Sequence, residues 1–186
     1  MPDLNLNERL LPYAGQLAER DLGDIDLVVM HCTELPDLAT AREYGERIHY
    51  EGSGTGNSGH YYIDRNGHTE CWVPPERVAH HVRGFNERSV GIELVNRGRF
   101  PHWLRSDHQA MIEHYAPPQL EALLQLLKRL QNALPSLTHI AGHEDLDREQ
   151  VPAEDNPSVT VSRKLDPGPR FPWESVLEAS GLLRYR

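Results

Sequence analysis

The sequence of 186 residues is poor in cysteine, with only Cys32 and Cys71. Two cysteines are too few for a disulfide framework, so we expect a reduced, cytoplasmic protein. No run approaches the ~20 apolar residues that a membrane-spanning helix needs. The first residues lack both the basic and the apolar segments of a secretory signal, and we expect none. These absences favour a protein without a membrane partner.

Positive charge is also scarce, because 28 acidic residues outnumber 19 lysines and arginines and the formal net charge is −9. Such a charge repels nucleic acid and other anionic polymers at long range, so we expect no nucleic-acid partner. The hydrophobic content of 38% is ordinary for a globular domain. The length suits one domain with a real core, and we expect a monomer with an N-terminal arm at 1–24 and a single domain at 25–186.

Strand and helix patterns alternate along this domain and predict the α/β class. Ile25–Cys32 is apolar on both faces, as in a buried strand. Asn66-Gly67 is the strongest short-range signal for a β-hairpin. Leucines at helical spacing follow Pro118 and predict an amphipathic helix. The other expected elements are strands at 89–96 and 137–143, helices at 37–50 and 173–183, and irregular segments at 97–117 and 144–162, the second an exposed loop.

Two histidines, His31 and His143, end predicted buried strands, where ligands gather in α/β sheets. Pro167 keeps Asp166 in extended backbone, so Lys164 and Asp166 should project to the same side. A catalytic zinc site takes three protein ligands and leaves one position for water. His31, His143 and Asp166 would supply that set. A single histidine at a strand end is more often structural, and Lys164 with Asp166 could form a plain ion pair.

Other residues compete for the role of metal ligand. The neighbouring His80 and His81 could bind metal as a pair, although adjacent strand residues point opposite ways and at most one should face the site. His139 shares a strand face with His143, and we expect it in the core or behind a metal ligand. Three acidic residues could replace Asp166 but have the pattern of an exposed loop: Glu144, Asp145 and Asp147.

Glu93 lies on an otherwise apolar strand, where a carboxylate must be paired, protonated or bound to something. Beside a zinc-bound water it would be the general base. Otherwise it would be the buried partner of an arginine or lysine. Lys164 would stabilise a developing oxyanion near the carbonyl under attack, or else form a surface salt bridge.

Taken together, these segments resemble the type-2 zinc N-acetylmuramoyl-L-alanine amidases. That family includes the AmpD-like muropeptide amidases, the phage amidases and the peptidoglycan recognition proteins. The matching motifs follow the order of the family and cover about residues 25–180. They are Val28–Thr33, Ser58–Gly67, Ala79–Asn86, Ser89–Leu94, Ala141–Asp145 and Arg163–Phe171. The last motif and the Ser-Val-Gly-Ile-Glu block are specific to the family, whereas the hairpin alone would not be.

The resemblance implies a single α/β domain with a central mixed sheet flanked by helices. It implies one Zn²⁺ per chain on His31, His143 and Asp166, with Glu93 activating water and Lys164 as the cation of the transition state. It also implies contacts to substrate from four further residues: His60, Arg65, His81 and Asn86.

The activity that the resemblance implies is hydrolysis of the amide between N-acetylmuramic acid, including its 1,6-anhydro form, and L-alanine of muropeptides in cell-wall recycling. Three alternatives stay open: a non-catalytic peptidoglycan-binding module, an exported or phage-type lytic amidase, and a zinc carboxypeptidase. The complete ligand set favours an enzyme, and the acidic charge favours recycling. Segments 97–117 and 144–162 are longer than the family typically has, so both could reshape the substrate groove.

Overall fold

The structure is a computed structural model that describes residues 4–186. A seven-stranded mixed sheet flanked by helices forms its centre, so the predicted α/β class is confirmed. The strands are β1 (Leu6–Glu8), β2 (Leu27–Cys32), β3 (Tyr61–Ile63), β4 (Thr69–Cys71), β5 (Ser89–Leu94), β6 (His139–Gly142), β7 (Gln150–Pro152), β8 (Thr160–Ser162) and β9 (Leu183–Arg184). The α-helices are α1 (Leu38–Gly45), α2 (Pro117–Ala133), α3 (His143–Leu146) and α4 (Trp173–Ser180).

The strands of the main sheet follow the order β1-β4-β3-β5-β2-β6-β9. Strand β2 lies between β5 and β6 and runs parallel to both. All of its residues are buried, because Val28 and Met30 pack into one core cluster and Leu27 and Val29 into another. Parallel strands end at the same edge of a sheet, so the carboxyl ends of β2, β5 and β6 lie together, where α/β folds bind ligands.

Helix α2 covers one face of this sheet. It starts at Pro117, a residue suited to the first turn because it needs no intrahelical donor. Its apolar face buries Leu123, Leu126, Leu127 and Leu130 in the largest core cluster. Each fully buried leucine contributes roughly 1.5–3 kcal/mol relative to an exposed one. No helix within residues 4–186 combines the length and the apolar character needed to cross a bilayer.

Two predicted elements differ most from the observed ones. The helix expected at 37–50 is shorter: it is capped by Asp37, whose side chain accepts from the Thr40 N–H at 2.7 Å, and it ends at Gly45. The expected loop at 144–162 contains α3 and the antiparallel pair of β7 and β8. That pair was missed because its strands have three residues each and bury only Val161 fully.

The N-terminal residues add an edge to the main sheet, because β1 pairs in parallel with β4. Residues 1–3 of the predicted arm lie outside the described part of the chain. Arg20 then fastens the segment that follows, since its guanidinium donates to the carbonyls of Pro75 at 2.7 Å and Ser89 at 2.7 Å. The division into an arm and a domain at residue 24 stays a prediction.

Candidate functional site

The carboxyl ends of the central strands open into a cavity of about 840 Å³. Strand register determines what lines it: His31 on β2 and Glu93 on β5 are paired positions of neighbouring parallel strands. His143 follows directly after β6 and begins α3. Lys164 and Asp166 enter from the segment after β8. Residues far apart in the sequence therefore meet at one edge of the sheet.

His31, His143 and Asp166 form a group that could hold a metal ion. Asp166 Oδ2 lies 2.9 Å from His31 Nδ1 and 3.1 Å from His143 Nδ1. The ligand atoms all lie within 4.8 Å of one another, and all three side chains are buried. Asp166 Oδ1 is buried and finds no hydrogen-bond partner among residues 4–186. Two imidazole nitrogens and one carboxylate oxygen are a donor set that suits catalytic zinc.

The charges in this group also suit a metal. Burial lowers the pKa of His31 to about 4, and the neighbouring His143 acts in the same direction. Although burial disfavours the charged form of Asp166, the two histidines hold the pKa of its carboxyl well below the usual range. At neutral pH, His31 is therefore neutral and Asp166 is ionised, the forms in which these residues bind metals.

Glu93 stands beside the three candidate ligands, with its Oε1 3.9 Å from His31 Nδ1. Burial raises the pKa of this carboxyl to about 8, and the charge of Asp166 adds to the effect while Lys164 opposes it. No arginine or lysine within residues 4–186 forms a salt bridge with Glu93, so the alternative of a buried ion pair is not found. A carboxyl group with a pKa raised toward neutrality can both take a proton from and return a proton to a group held at the ligands.

Glycine at position 59 makes room for this carboxylate. A Cβ added to Gly59 would lie 2.9 Å from Glu93 Cγ and 3.3 Å from the carbonyl oxygen of Gly91. Real Cβ atoms do not approach other atoms as closely as the first of these distances. Any larger residue at position 59 would therefore displace Glu93.

Lys164 is half-buried and lines the cavity. The carboxylate of Asp166 contacts His31 and His143, and the structure shows no ion pair between Lys164 and Asp166. The plain ion pair considered from the sequence is therefore not formed. An ammonium group at this position can stabilise negative charge that develops on a substrate in the cavity.

The structure corrects the prediction that His60 contacts substrate, because the side chain is fully buried and does not line the cavity. Its Nδ1 accepts from the Gly91 N–H at 3.0 Å. Its Nε2 lies 3.1 Å from the carbonyl oxygen of Arg77 and 2.8 Å from the guanidinium of Arg20. The polar atoms of His60 are thus used inside the protein.

The prediction that Arg65 contacts substrate is likewise corrected, because Arg65 does not line the cavity. Its guanidinium binds both carboxylate oxygens of Glu113, at 2.6 and 3.2 Å, and donates to the carbonyl of Pro36 at 2.9 Å. These residues line a different pocket, of about 480 Å³, that does not include the candidate metal ligands. The reason is an ion pair across 48 sequence positions, which no local pattern reveals.

The other two predicted contacts, His81 and Asn86, do line the cavity. Asn86 Oδ1 accepts from the backbone N–H groups of His81 at 3.0 Å and Val82 at 2.8 Å, which shapes the loop before β5. His81 Nδ1 lies 3.0 Å from Nε2 of His31. His81 is therefore in contact with a candidate metal ligand.

None of the competing residues joins the ligand group. Asp145 binds Arg184 and the Gly142 N–H, and Asp147 pairs with Arg163. Glu144, whose pKa burial raises to about 7, also lies outside the group. The expectation for His139 was wrong: this residue starts β6 at the far end from the site, is half-buried, and lies 2.9 Å from the hydroxyl of Thr138.

One part of the site was missed from the sequence. Arg99 and Glu34 form a buried ion pair, with Nε 2.7 Å from Oε1. Arg99 also donates to the carbonyls of Ser162 at 2.9 Å and Arg163 at 3.3 Å. It thereby connects the chain after β2 to the segment that carries Lys164. The available signal was a polar residue shortly after a buried strand, but nothing local identifies its partner.

A comparison with known proteins adds to this geometry. The family described as N-acetylmuramoyl-L-alanine amidase matches residues 21–169. The chain belongs to this amidase family. The predicted resemblance is thus confirmed, and the family match extends over the strands that carry His31 and Glu93 and over His143 and Asp166.

Relatives of this amidase-family chain include the N-acetylmuramoyl-L-alanine amidase AmiD of Escherichia coli K12, 31% identical over 136 residues. That match covers 65% of this chain but only 44% of the relative. Among solved structures, the endolysin amidase LysCS from Clostridium intestinale URNW superposes with a TM-score of 0.68 at 21% identity, over 98% of this chain and 99% of that one. The E. coli AmiD complex with the substrate anhydro-N-acetylmuramic acid-L-Ala-D-γ-Glu-L-Lys gives 0.64 at 23% identity, over 89% and 60%. The structural likenesses establish the shared fold.

Proposed function

We propose that this protein is a zinc-dependent N-acetylmuramoyl-L-alanine amidase, which hydrolyses the amide between N-acetylmuramic acid and L-alanine in peptidoglycan fragments. One observation carries the proposal: His31, His143 and Asp166 form a buried N,N,O group that lines a cavity, with Glu93 beside it. Membership of the amidase family supports the choice of this amide.

Within this proposal each residue has a separate task. His31, His143 and Asp166 would hold the zinc, which supplies polarisation of the substrate carbonyl and activation of water. Glu93 takes the proton of the attacking water and delivers it to the leaving amine of L-alanine. Lys164 stabilises the negative charge that develops on the carbonyl oxygen. The protein thus supplies the base, the acid and part of the charge stabilisation.

Product analysis by mass spectrometry tests this function directly. Purified protein, loaded with one equivalent of zinc, is incubated with a muropeptide of defined stem, and a second sample is first stripped with a chelator. We expect free muramic sugar and an intact stem peptide that begins with L-alanine, from the loaded sample only. Release of a C-terminal amino acid would instead indicate a carboxypeptidase, and binding without cleavage would indicate a recognition module.

The finer substrate choice in this proposal is a 1,6-anhydro-muropeptide, consumed in cell-wall recycling. It is supported by the likeness to AmiD, which was solved with an anhydro-N-acetylmuramic acid peptide. The likeness to the endolysin LysCS favours intact wall as the alternative substrate. Parallel incubations with anhydro-muropeptides and with purified sacculi separate the two, since a recycling enzyme releases peptide from the first and not from the second.

We also propose that the protein acts in the cytoplasm as a monomer. The free, buried thiols of Cys32 and Cys71 and the net charge of −9 support this location. Cell fractionation tests the location, and light scattering of the purified protein tests the monomer. A periplasmic or secreted pool, or a mass twice that of the chain, would contradict these two proposals without affecting the chemistry.

A further inference from the structure

We propose that His81 is a positioning residue for a metal ligand: it holds the proton of His31 on Nε2 and so leaves Nδ1 free to bind the ion. The inference rests on the proposed metal site, and it gives His81 a task different from the substrate contact implied by the family resemblance. Three hydrogen bonds and one close approach carry it.

The first step starts from a buried hydroxyl. Ser89, at the start of β5, is fully buried, and its Oγ lies 2.7 Å from the carbonyl oxygen of Phe85. A carbonyl can only accept, so the single hydroxyl hydrogen of Ser89 is used there. The same Oγ lies 3.3 Å from Nε2 of His81. Because Ser89 has no second hydrogen, it accepts in this contact and His81 donates from Nε2.

The second step passes this choice to His31. A neutral imidazole carries one N–H, so Nδ1 of His81 has a lone pair when Nε2 is the donor. That Nδ1 lies 3.0 Å from Nε2 of His31, which must therefore donate. No carboxylate within residues 4–186 is hydrogen-bonded to His81, so nothing there favours a second proton on its ring.

The third step leads to the metal. With its hydrogen on Nε2, His31 directs the lone pair of Nδ1 toward Oδ2 of Asp166, 2.9 Å away. Two acceptors then face each other, and a shared cation would satisfy both. Metal-binding histidines generally donate their second N–H to a fixed acceptor, which sets the tautomer and the ring orientation. Here that acceptor is His81, and the row of donors ends at the carbonyl of Phe85.

Strand β5 is built to admit the ring of His81. A Cβ added to Gly91 would lie 2.7 Å from both Cγ and Nδ1 of His81. Gly91 is paired with Val29 on β2, and His31 follows Val29 by two residues. Only glycine at position 91 therefore leaves room for the ring of His81 to bring its Nδ1 next to His31. A substitution of Gly91 would therefore disturb the contact between His81 and His31 without changing a polar side chain.

Zinc affinity of purified variants, measured by competition with a chromophoric chelator, tests the inference. Asn places an amide oxygen where Nδ1 of histidine stands, whereas Leu has the same shape without an acceptor. We expect His81→Leu to weaken zinc binding by roughly 10- to 100-fold, in line with losses of outer hydrogen-bond partners of metal ligands, and His81→Asn to retain most of it. Gly91→Ala should resemble His81→Leu, and Gly52→Ala, which meets nothing within 4 Å, should resemble the unchanged protein.

The location of the proton is measured separately by NMR of the zinc-loaded protein with ¹⁵N-labelled histidine. We expect His31 and His81 both to carry hydrogen on Nε2. A hydrogen on Nδ1 of His81 would overturn the inference. So would unchanged zinc affinity in His81→Leu together with a raised KM for a muropeptide, because that result indicates a substrate contact. The zinc-affinity and NMR readouts need no turnover, so a protein that binds zinc but cleaves no muropeptide would refute the proposed function and leave this inference intact.

Discussion

The guanidinium of Arg99 donates two hydrogen bonds to the carboxylate of Glu34, at 2.7 and 2.8 Å, although 65 positions separate the two residues. Both side chains are buried, and the backbone of Glu34 adopts the left-handed region with φ of 48°. Both residues line the cavity, and through the carbonyls of Ser162 and Arg163 the ion pair connects three segments of chain. An ion pair thus stabilises this part of the site, whereas apolar packing stabilises the strands.

Arg99→Met should destabilise the protein by about 3–5 kcal/mol, because it leaves the carboxylate of Glu34 buried without a partner. The free energy of unfolding in urea measures this loss. Arg97→Met is the matched control: Arg97 is exposed, and its loss should change stability by less than about 0.5 kcal/mol. Addition of Glu34→Gln to Arg99→Met should recover part of the loss, and no recovery would show that charge burial is not the cause.

Glu93→Gln should lower kcat by on the order of 10²–10⁴-fold, the contribution of a positioned general base. The amide has the shape of the carboxylate but cannot take the proton of water. Zinc content should stay at one per chain, because Glu93 is not in the ligand group. Turnover equal to that of the unchanged enzyme would remove Glu93 from the mechanism, whereas loss of zinc would make it a ligand.

Gly59→Ala should lower kcat while zinc binding and folding persist. The new Cβ would stand 2.9 Å from Glu93 Cγ, so the carboxylate must move, and a displacement of about 1 Å can cost roughly 10²-fold in rate. Gly15→Ala adds the same methyl group where nothing lies within 4 Å and should keep full activity. Equal rates in both variants would mean that the position of Glu93 is not critical.

The buried His60 should make stability depend on pH. Burial lowers its pKa from 6.5 to about 3, and the charge of Arg20, whose guanidinium approaches Nε2 at 2.8 Å, acts in the same direction. Above pH 6.5 the ring is neutral in both the folded and the unfolded protein, so its titration does not change the free energy of unfolding. Between pH 6.5 and about 3 the unfolded chain binds one proton more than the folded one. Each pH unit of descent therefore removes about 1.4 kcal/mol of unfolding free energy.

Urea unfolding at pH 7 and pH 5 measures this effect in the unchanged protein and in His60→Gln, which cannot titrate. The unchanged protein should lose about 2 kcal/mol more than the variant over this interval, the product of 1.5 pH units and the slope above. His31 and His81 titrate in both proteins, so their contributions cancel in the comparison. Equal losses in the two proteins would contradict a neutral, buried His60.

The elements of the fold that carry local patterns were predictable. The apolar run of β2, the Asn66-Gly67 turn and the leucines of α2 each identify an element by its own residues. Asp166 was predictable for the same reason, since Pro167 fixes the backbone beside it. The ligand group follows from these local signals, because parallel strands bring their carboxyl ends to one edge of the sheet.

What escaped prediction depends on pairs of distant residues. Nothing in the sequence distinguishes His60 from His81 as a substrate contact. In the structure, the ring of His60 contacts the backbone of Gly91 and Arg77, whereas His81 lines the cavity. Arg65 was misplaced because Glu113, far along the chain, binds its guanidinium. Periodicity shows on which face of a strand a side chain lies, but it does not identify the charged group or carbonyl that the side chain contacts there.

Hydrogen bonds from Tyr115 and Arg99 hold the backbone on both sides of Asp166. Tyr115 donates its hydroxyl hydrogen to the carbonyl of Pro167 at 2.7 Å, and Arg99 binds the carbonyls of Ser162 and Arg163 on the other side of Lys164. Both residues, Tyr115 and Arg99, come from the segment 97–117. Folding alone thus brings the third ligand into place, so an arriving cation need not organise a loose loop and keeps more of its binding free energy.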